Sequence, residues 1–307
     1  MSLMSMFKGK GPSGFGYGST AEDVTEGLDL SGRTIVLTGC NSGLGKETLR
    51  VLTKRGAHVV AAARTVEKAQ ATCDEVGGET TAVACELSEP ASVQACAEQI
   101  IALGRPLDAI ICNAGIMALP ALNQKFGYEL QFFTNHIGHF ILVTSLLDSL
   151  AEKGRVVMVS SDAHNGAPKV GIQFDNLTGE HGYGAWANYG QSKLANLLFA
   201  NHLAKRLEGT GKTANGLHPG VIHTNLGRSM NPIARGALAV AGPVLLKSVG
   251  EWAATQCYVA VHPSVEGVAG KYFSDCNVGK SSSRGRDEEM AAKLWEVSEK
   301  IAAEVTG

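Results

Sequence analysis

The chain has 307 residues, with 27 Lys plus Arg against 29 Asp plus Glu and a formal net charge of -2. So balanced a composition offers no basic face to nucleic acid and no basis for stable insertion at an anionic membrane. Seven cysteines, odd in number and scattered, predict buried reduced thiols rather than a disulfide framework, and Met1 to Gly18 lacks the apolar run of a secretory signal, so a cytoplasmic protein is expected.

Residues 1–30 read as an N-terminal extension, partly flexible, and 31–307 as one domain. From Arg33 onward short apolar runs alternate with helical patterns. The runs are Thr34 to Leu37, His58 to Ala62, Thr81 to Ala84, Ala109 to Cys112, Val156 to Val159 and a weaker Thr213 to Leu217. Between them the spacing predicts helices near 43–55, 65–76, 90–103, 123–151 and 187–209. Continuous hydrophobicity in the strands indicates burial on both faces, as in a parallel sheet covered by helices. The expected fold class is α/β: a single doubly wound Rossmann-type domain with a central parallel β-sheet flanked by helices on both faces. A polar, Gly-rich insertion at about 162–186 and a mixed segment at about 224–247 are expected to build the substrate crevice. The apolar run Ala237 to Leu246 contains Pro243 and is too short to span a bilayer.

Thr38-Gly-Cys-Asn-Ser-Gly-Leu-Gly45 follows the first strand and opens a helix. Glycines there let backbone approach a pyrophosphate, which the helix N-terminus stabilises. Gly39, Asn41, Ser42, Gly43, Leu44 and Gly45 are the candidate contacts. The second strand ends Ala-Ala-Ala-Arg64 with no carboxylate until Glu67. A carboxylate would bond a ribose 2′-OH and repel a 2′-phosphate, whereas a guanidinium binds that phosphate, so NADP is expected over NAD. Further along, Tyr189 and Lys193 lie four apart at the head of an apolar helical stretch, one turn from each other on one face. A nearby ammonium favours phenolate, so this tyrosine is expected to titrate below its ordinary value of ~10.

Thr38-Gly-x-x-x-Gly-x-Gly45, Asn113-Ala-Gly115, Ser160-Ser161, Tyr189-x-x-x-Lys193 and Pro219-Gly220 stand in the order of the short-chain dehydrogenase/reductase family, which the chain resembles over roughly residues 30–275. Asn135-His-Ile-Gly-His-Phe140, the Ser-Lys-Leu-Ala-Asn run at 192–196, His218-Pro-Gly220 and Phe273-Ser-Asp-Cys276 are similar to the retinol-dehydrogenase-like branch. The resemblance implies that Tyr189 is the general acid/base, that Ser161 bonds the reacting oxygen, and that Lys193 supports the tyrosine and bonds the nicotinamide ribose. It implies that Asn135 holds a water relaying protons to the lysine. Asn113, Ala114 and Gly115 would then lie along the adenosine ribose. Glu86 stands where the family usually has Asp near adenine, with Leu87 beside it. Pro219, Gly220, Val221, Ile222 and Thr224 would hold the carboxamide.

The implied function is NADP-dependent interconversion of an alcohol and its ketone or aldehyde on a moderately large apolar small molecule, in a homodimer or homotetramer. Reduction of an activated C=C bond, and a non-catalytic NADP-binding regulatory or scaffold role, are the alternatives. His136 and His139 have no third metal ligand at suitable spacing, so no metal is expected. His164 and Trp186 fall in or beside the insertion and read first as loop supports.

Overall fold

The computed structural model describes residues 9–220 and 248–307. In chain order its elements begin with α1 (Ala21–Val24), β1 (Thr34–Thr38), α2 (Gly43–Lys54), β2 (His58–Ala63), α3 (Val66–Val76), β3 (Thr80–Ala84), α4 (Pro90–Ala102) and β4 (Leu107–Cys112). A short ribbon follows, β5 (Gln124–Lys125) and β6 (Tyr128–Glu129), then α5 (Leu130–Phe132), a π-helical turn at Phe133–Ile137, α6 (Gly138–Leu146) and β7 (Leu150–Val159). A 3₁₀ turn at Asp162–Gly166 leads to α7 (Ala185–Arg206) and β8 (Thr213–His218). The chain closes with α8 (Val249–Val261), β9 (Tyr272–Ser274), β10 (Asn277–Gly279) and α9 (Glu288–Thr306).

Eight strands form one sheet in the order β10-β9-β8-β7-β4-β1-β2-β3, parallel except for the β9–β10 hairpin. Alternate residues of each strand feed two cores. Val36, Val60, Ile110, Val156 and Met158 face α4, α6, α7 and α9, whereas Ile35, Leu37, Val59, Ile111 and Val157 face α2, α3 and α8. Both faces are therefore dry, as the unbroken apolar runs predict. The order reverses between β1 and β4, so the carboxyl ends of these two strands flank the crevice where α/β sheets bind ligands.

The 123–151 helix is corrected to a shorter and less regular element. Phe126 and Gly127 both have positive φ, 52° and 80°, which closes the two-residue turn of the β5–β6 ribbon. Helix begins only at Leu130, where the buried Glu129 carboxylate accepts the Gln131 and Phe132 N–H groups at 3.1 and 2.9 Å. It ends at Leu146, and β7 starts at Leu150. Phe132 and Phe133 are core residues, whereas Phe126 is exposed.

Residues 9–30 pack on α2 and α8. Phe15 lies edge-on to Tyr258 and His262, and the Glu22 carboxylate takes Arg50, Lys54 and Arg55. All seven cysteines are buried and free. Among the described residues no helix is long and apolar enough to cross a membrane, and no group of three or more His, Cys, Asp or Glu side chains could hold a metal ion.

Candidate active site

The turn after β1 is shaped as a cradle. Gly39 has φ 70°, and a Cβ there would stand 2.9 Å from the Ala114 Cα. Gly45 opens α2 so tightly against the turn that a Cβ would stand 2.0 Å from the Gly39 carbonyl oxygen. Ser42 is the N-cap of α2 but makes no side-chain cap bond, and the first turn contains no acidic residue. The N–H groups of that turn, with the helix dipole behind them, face the crevice without an internal anion. Bare backbone, a free helix N-terminus and a switch-point location together fit a dinucleotide pyrophosphate. Asn41 is half-buried and Leu44 buried within this turn.

Thr38, which the sequence reading leaves as the first letter of a motif, joins β1 to β4. Its Oγ1 accepts from the N–H groups of Asn113 and Ala114, each at 3.0 Å, and lies 2.9 Å from His139 Nε2. His139 Nδ1 in turn meets the Asn135 carbonyl at 2.8 Å. A carbonyl only accepts, so Nδ1 carries the proton and Nε2 accepts from the threonine hydroxyl. Asn113 Nδ2 donates to the Thr38 carbonyl at 2.8 Å, so its side chain holds the glycine turn. On the far side, Trp252 Nε1 donates to the Gly220 carbonyl at 3.1 Å, and its ring edge would lie 3.7 Å from a Cβ on Gly43. Thr38, His139 and Trp252 are thus supports of the site, and only Trp252 goes unnamed in the sequence motifs. The signal for His139 was its one-turn spacing from Asn135.

Burial sets the charge of these histidines. It lowers His136 to about 3, with His139 nearby as the lesser cause, and lowers His139 to about 4, against 6.5 for an ordinary histidine. Both are neutral when folded at pH 7, whereas the unfolded chain takes up these protons below about 6.5. The stability they confer is complete above that value and is lost as pH falls toward the folded values. At pH 5 each costs about 2 kcal/mol by this linkage. Urea denaturation at pH 7.5 and pH 5 should therefore differ by roughly 4 kcal/mol from this pair alone, with the acid sample weaker. Equal stabilities would contradict the neutral, buried pair.

Tyr189 and Lys193 sit one turn apart on α7, as their spacing predicts, with Nζ 5.8 Å from the phenol ring centroid. Lys193 is buried and donates to the Val159 carbonyl at 3.0 Å. Ser161 stands at the end of β7, close enough to the Tyr189 hydroxyl to pull its titration down. Its Oγ also accepts from the Ala163 N–H at 3.2 Å. Ser160 is spent elsewhere, donating to the Lys193 carbonyl at 2.7 Å from a buried position. Asn135 lies inside the π-helical turn, a feature common at functional sites. Its Oδ1 accepts from the Ile116 N–H at 2.8 Å, and its Nδ2 donates to the Ile116 carbonyl and to Ser192 Oγ, both at 2.9 Å. A Cβ on Gly115 would stand 3.0 Å from Asn135 Oδ1 and 3.4 Å from Lys193 Nζ, so the asparagine, the lysine and the bare glycine converge.

The protein's own groups raise the tyrosine instead of lowering it. Burial pushes Tyr189 up to about 12, against a smaller downward pull from the Ser161 hydroxyl. Burial also lowers Lys193 to about 8. Desolvation acts on both groups, and the ammonium points at Val159 rather than at the phenol oxygen. The protein by itself holds a phenol, the proton-donating form.

Arg64 leaves the carboxyl end of β2 exposed, and among the described residues its guanidinium meets no partner. The Glu86 carboxylate accepts from the Ser88 N–H and hydroxyl at 3.2 and 3.0 Å. Leu87 is buried, and its carbonyl passes where a Cβ on Gly138 would be 2.3 Å away. Pro219 is buried and Gly220 has φ 108°. Val221, Ile222, Thr224 and the 224–247 segment lie outside the described residues. Trp186 is 52% exposed and stands perpendicular to the Tyr189 ring at 6.2 Å, so it borders the site instead of bracing a loop. His164 is buried and does brace one.

The short chain dehydrogenase family profile matches residues 33–234. The chain is 42% identical over 316 residues to the short-chain dehydrogenase TIC 32 B, chloroplastic, of Brassica napus, covering 98% of each chain. It is 40% identical over 282 residues to mouse retinol dehydrogenase 12, covering 89% of this chain and 87% of that one. Among solved structures it resembles an uncharacterised Mycobacterium paratuberculosis protein, with TM-score 0.75, 32% identity, and coverage of 91% and 97%. It also resembles a blue fluorescent protein from a metagenomic library in complex with NADPH, with TM-score 0.64, 25% identity, and coverage of 80% and 97%.

Proposed function

The chain belongs to the short-chain dehydrogenase family, and from that premise we propose that it is an NADP-dependent oxidoreductase interconverting an alcohol with its ketone or aldehyde. The observation that carries this reading is the meeting of the Ser161 hydroxyl, the buried Tyr189 phenol and Lys193 beside the bare backbone of Gly115. Bound in the crevice, NADPH would supply the hydride. Ser161 Oγ donates a hydrogen bond to the substrate oxygen, where negative charge develops. Tyr189 Oη gives that oxygen its proton, and in the reverse direction takes it back. Lys193 Nζ would bond the nicotinamide ribose and holds positive charge beside the phenolate that forms. Asn135 fixes Ile116 and Ser192, and so holds the Gly115 segment against α7.

The residues at the crevice fit a dinucleotide: Gly39 to Gly45 would take the pyrophosphate on backbone, and Asn113 to Gly115 would lie along the adenosine ribose. NADP over NAD rests on Arg64, which is exposed at the end of β2 with no neighbouring acid before Glu67. Arg64→Asp should shift the NADPH-to-NADH ratio of kcat/KM toward NADH by about 10-fold or more, the worth of a charge-assisted bond to phosphate. An unchanged ratio would remove Arg64 as the determinant.

Trp186 places a large apolar ring beside the phenol, which suits a moderately large apolar carbonyl compound. A panel of all-trans-retinal, a steroid ketone and an aromatic ketone, followed by NADPH absorbance, tests that class; turnover of none of them would contradict it. Self-association is proposed with it. α9 covers α7 through Trp295, which stacks on Phe199 at 5.6 Å, so a homodimer or homotetramer would use other faces. Light scattering should give two or four times the 32.1 kDa chain mass, and a single-chain mass would refute it.

A further inference from the structure

The serine that reaches Tyr189 sits on a turn held from both sides. On one side it lies directly on α7: a Cβ on Gly190 would stand 2.5 Å from the Ala163 carbonyl oxygen and 2.9 Å from the Ala167 nitrogen. On the other side it meets residues 281–286, the segment between β10 and α9. Arg284 donates to three carbonyls of the insertion, to Asn165 at 3.0 Å, to Ala167 at 2.9 Å and to Pro168. The Ser282 N–H donates to His164 Nε2 at 3.1 Å, while His164 Nδ1 lies 2.6 Å from the carbonyl oxygen of Ser161 itself. That carbonyl can only accept and the Ser282 N–H can only donate, so His164 is neutral with its proton on Nδ1. The segment is in turn fixed to α7, where Asn201 Nδ2 donates to the Gly285 carbonyl at 2.7 Å. A Cβ on Gly285 would be 2.7 Å from Leu197 Cδ2.

We propose that residues 281–286 form a clamp that sets the position of Ser161 against Tyr189, with Arg284 and His164 as its positioning residues. This rests on the reading of Ser161 and Tyr189 as the reacting pair. The tyrosine and the serine come from different elements, a helix and a strand end. A Gly-rich insertion separates those elements in sequence; Ser160 and Lys193 tie the end of β7 to α7, and beyond them the position of Ser161 depends on how its turn is held. The clamp supplies that constraint from a third part of the chain. Its polar contacts all end on backbone carbonyls or on the imidazole, so it holds the turn whatever side chains the insertion presents to substrate.

Arg284→Met should raise deuterium exchange of the 162–171 amides about tenfold or more while leaving α2 amides unchanged. It should lower kcat about 10- to 100-fold, the cost of a misplaced catalytic group, with KM and NADPH affinity within about twofold of wild type. Arg284→Lys, which keeps one charged donor, should recover part of the loss. His164→Asn keeps a donor for the Ser161 carbonyl but drops the Ser282 link, and should lower kcat in the same way. Both milder variants carry the comparison if Arg284→Met does not fold. Unchanged exchange, or raised exchange with unchanged kcat, would overturn the clamp while an inactive Tyr189→Phe left the reacting pair standing. Full activity of Tyr189→Phe would remove the pair and the clamp together.

Discussion

Tyr189→Phe should fold and bind NADPH but lose turnover by about 10²- to 10⁴-fold, the range for removing a positioned general acid. The substitution deletes one oxygen and keeps the ring, so the edge contact with Trp186 and the packing against Lys193 survive. Only the proton donor disappears. Among the described residues no neighbour is placed to replace it: Ser160 donates to the Lys193 carbonyl, and the Lys193 ammonium to Val159. Ser161 remains, and can bond the substrate oxygen but has no base behind it among the described residues. The variant should therefore behave as a binding protein. Fluorescence titration with NADPH and single-turnover kinetics on the best substrate of the panel separate the two properties. Wild-type turnover in this variant would end the assignment of Tyr189 as the acid.

Gly45→Ala should have the largest effect on cofactor affinity, weakening NADPH by about 100-fold or more, which corresponds to about 2.7 kcal/mol. The added carbon would lie 2.0 Å from the Gly39 carbonyl oxygen and 2.8 Å from Asn113 Nδ2. The first of these is backbone and cannot swing aside, so the turn must open and carry the α2 N-terminus away from the phosphate position. Gly43 is the instructive contrast. Its φ of 49° strains any other residue, yet a Cβ there meets only the Trp252 ring at 3.7 Å. Alanine at 43 should cost about 1 kcal/mol of backbone strain and leave the cradle's shape in place. Comparing the two variants by NADPH titration and thermal denaturation isolates shape from strain. Equal, wild-type-like affinities would rule out this turn as the pyrophosphate site.

The strands that flank the crevice were readable because burial on both faces demands continuous apolar runs, and Thr34–Thr38 and Leu107–Cys112 obey that demand. β9 and β10 were not. Each has three residues, and their connecting turn uses Asp275 and Cys276 at φ 51° and 62° instead of the usual glycine or asparagine. The π-helical turn at Phe133–Ile137 has no composition of its own, so an ordinary helix was the natural reading there. Residues of the site were legible where chemistry restricts the residue type, as with Tyr189, Lys193 and the glycines. Supports such as Thr38 and Arg284 act through backbone partners 75 or more positions away, and sequence spacing carries no trace of such pairs. The direction in which the protein's own groups shift the tyrosine is hidden from the sequence for a related reason. Four residues of separation give proximity to an ammonium, but depth of burial, which decides the sign here, belongs to the tertiary structure.

The most direct test of hydride transfer to a carbonyl carbon uses NADPH deuterated at the transferring position of its nicotinamide ring and the best substrate of the panel. Mass spectrometry and NMR of the product should find one deuterium, on the carbinol carbon, and none after Tyr189→Phe beyond the residual rate. Deuterium on a carbon of a former C=C bond, or an alcohol formed without deuterium, would contradict it.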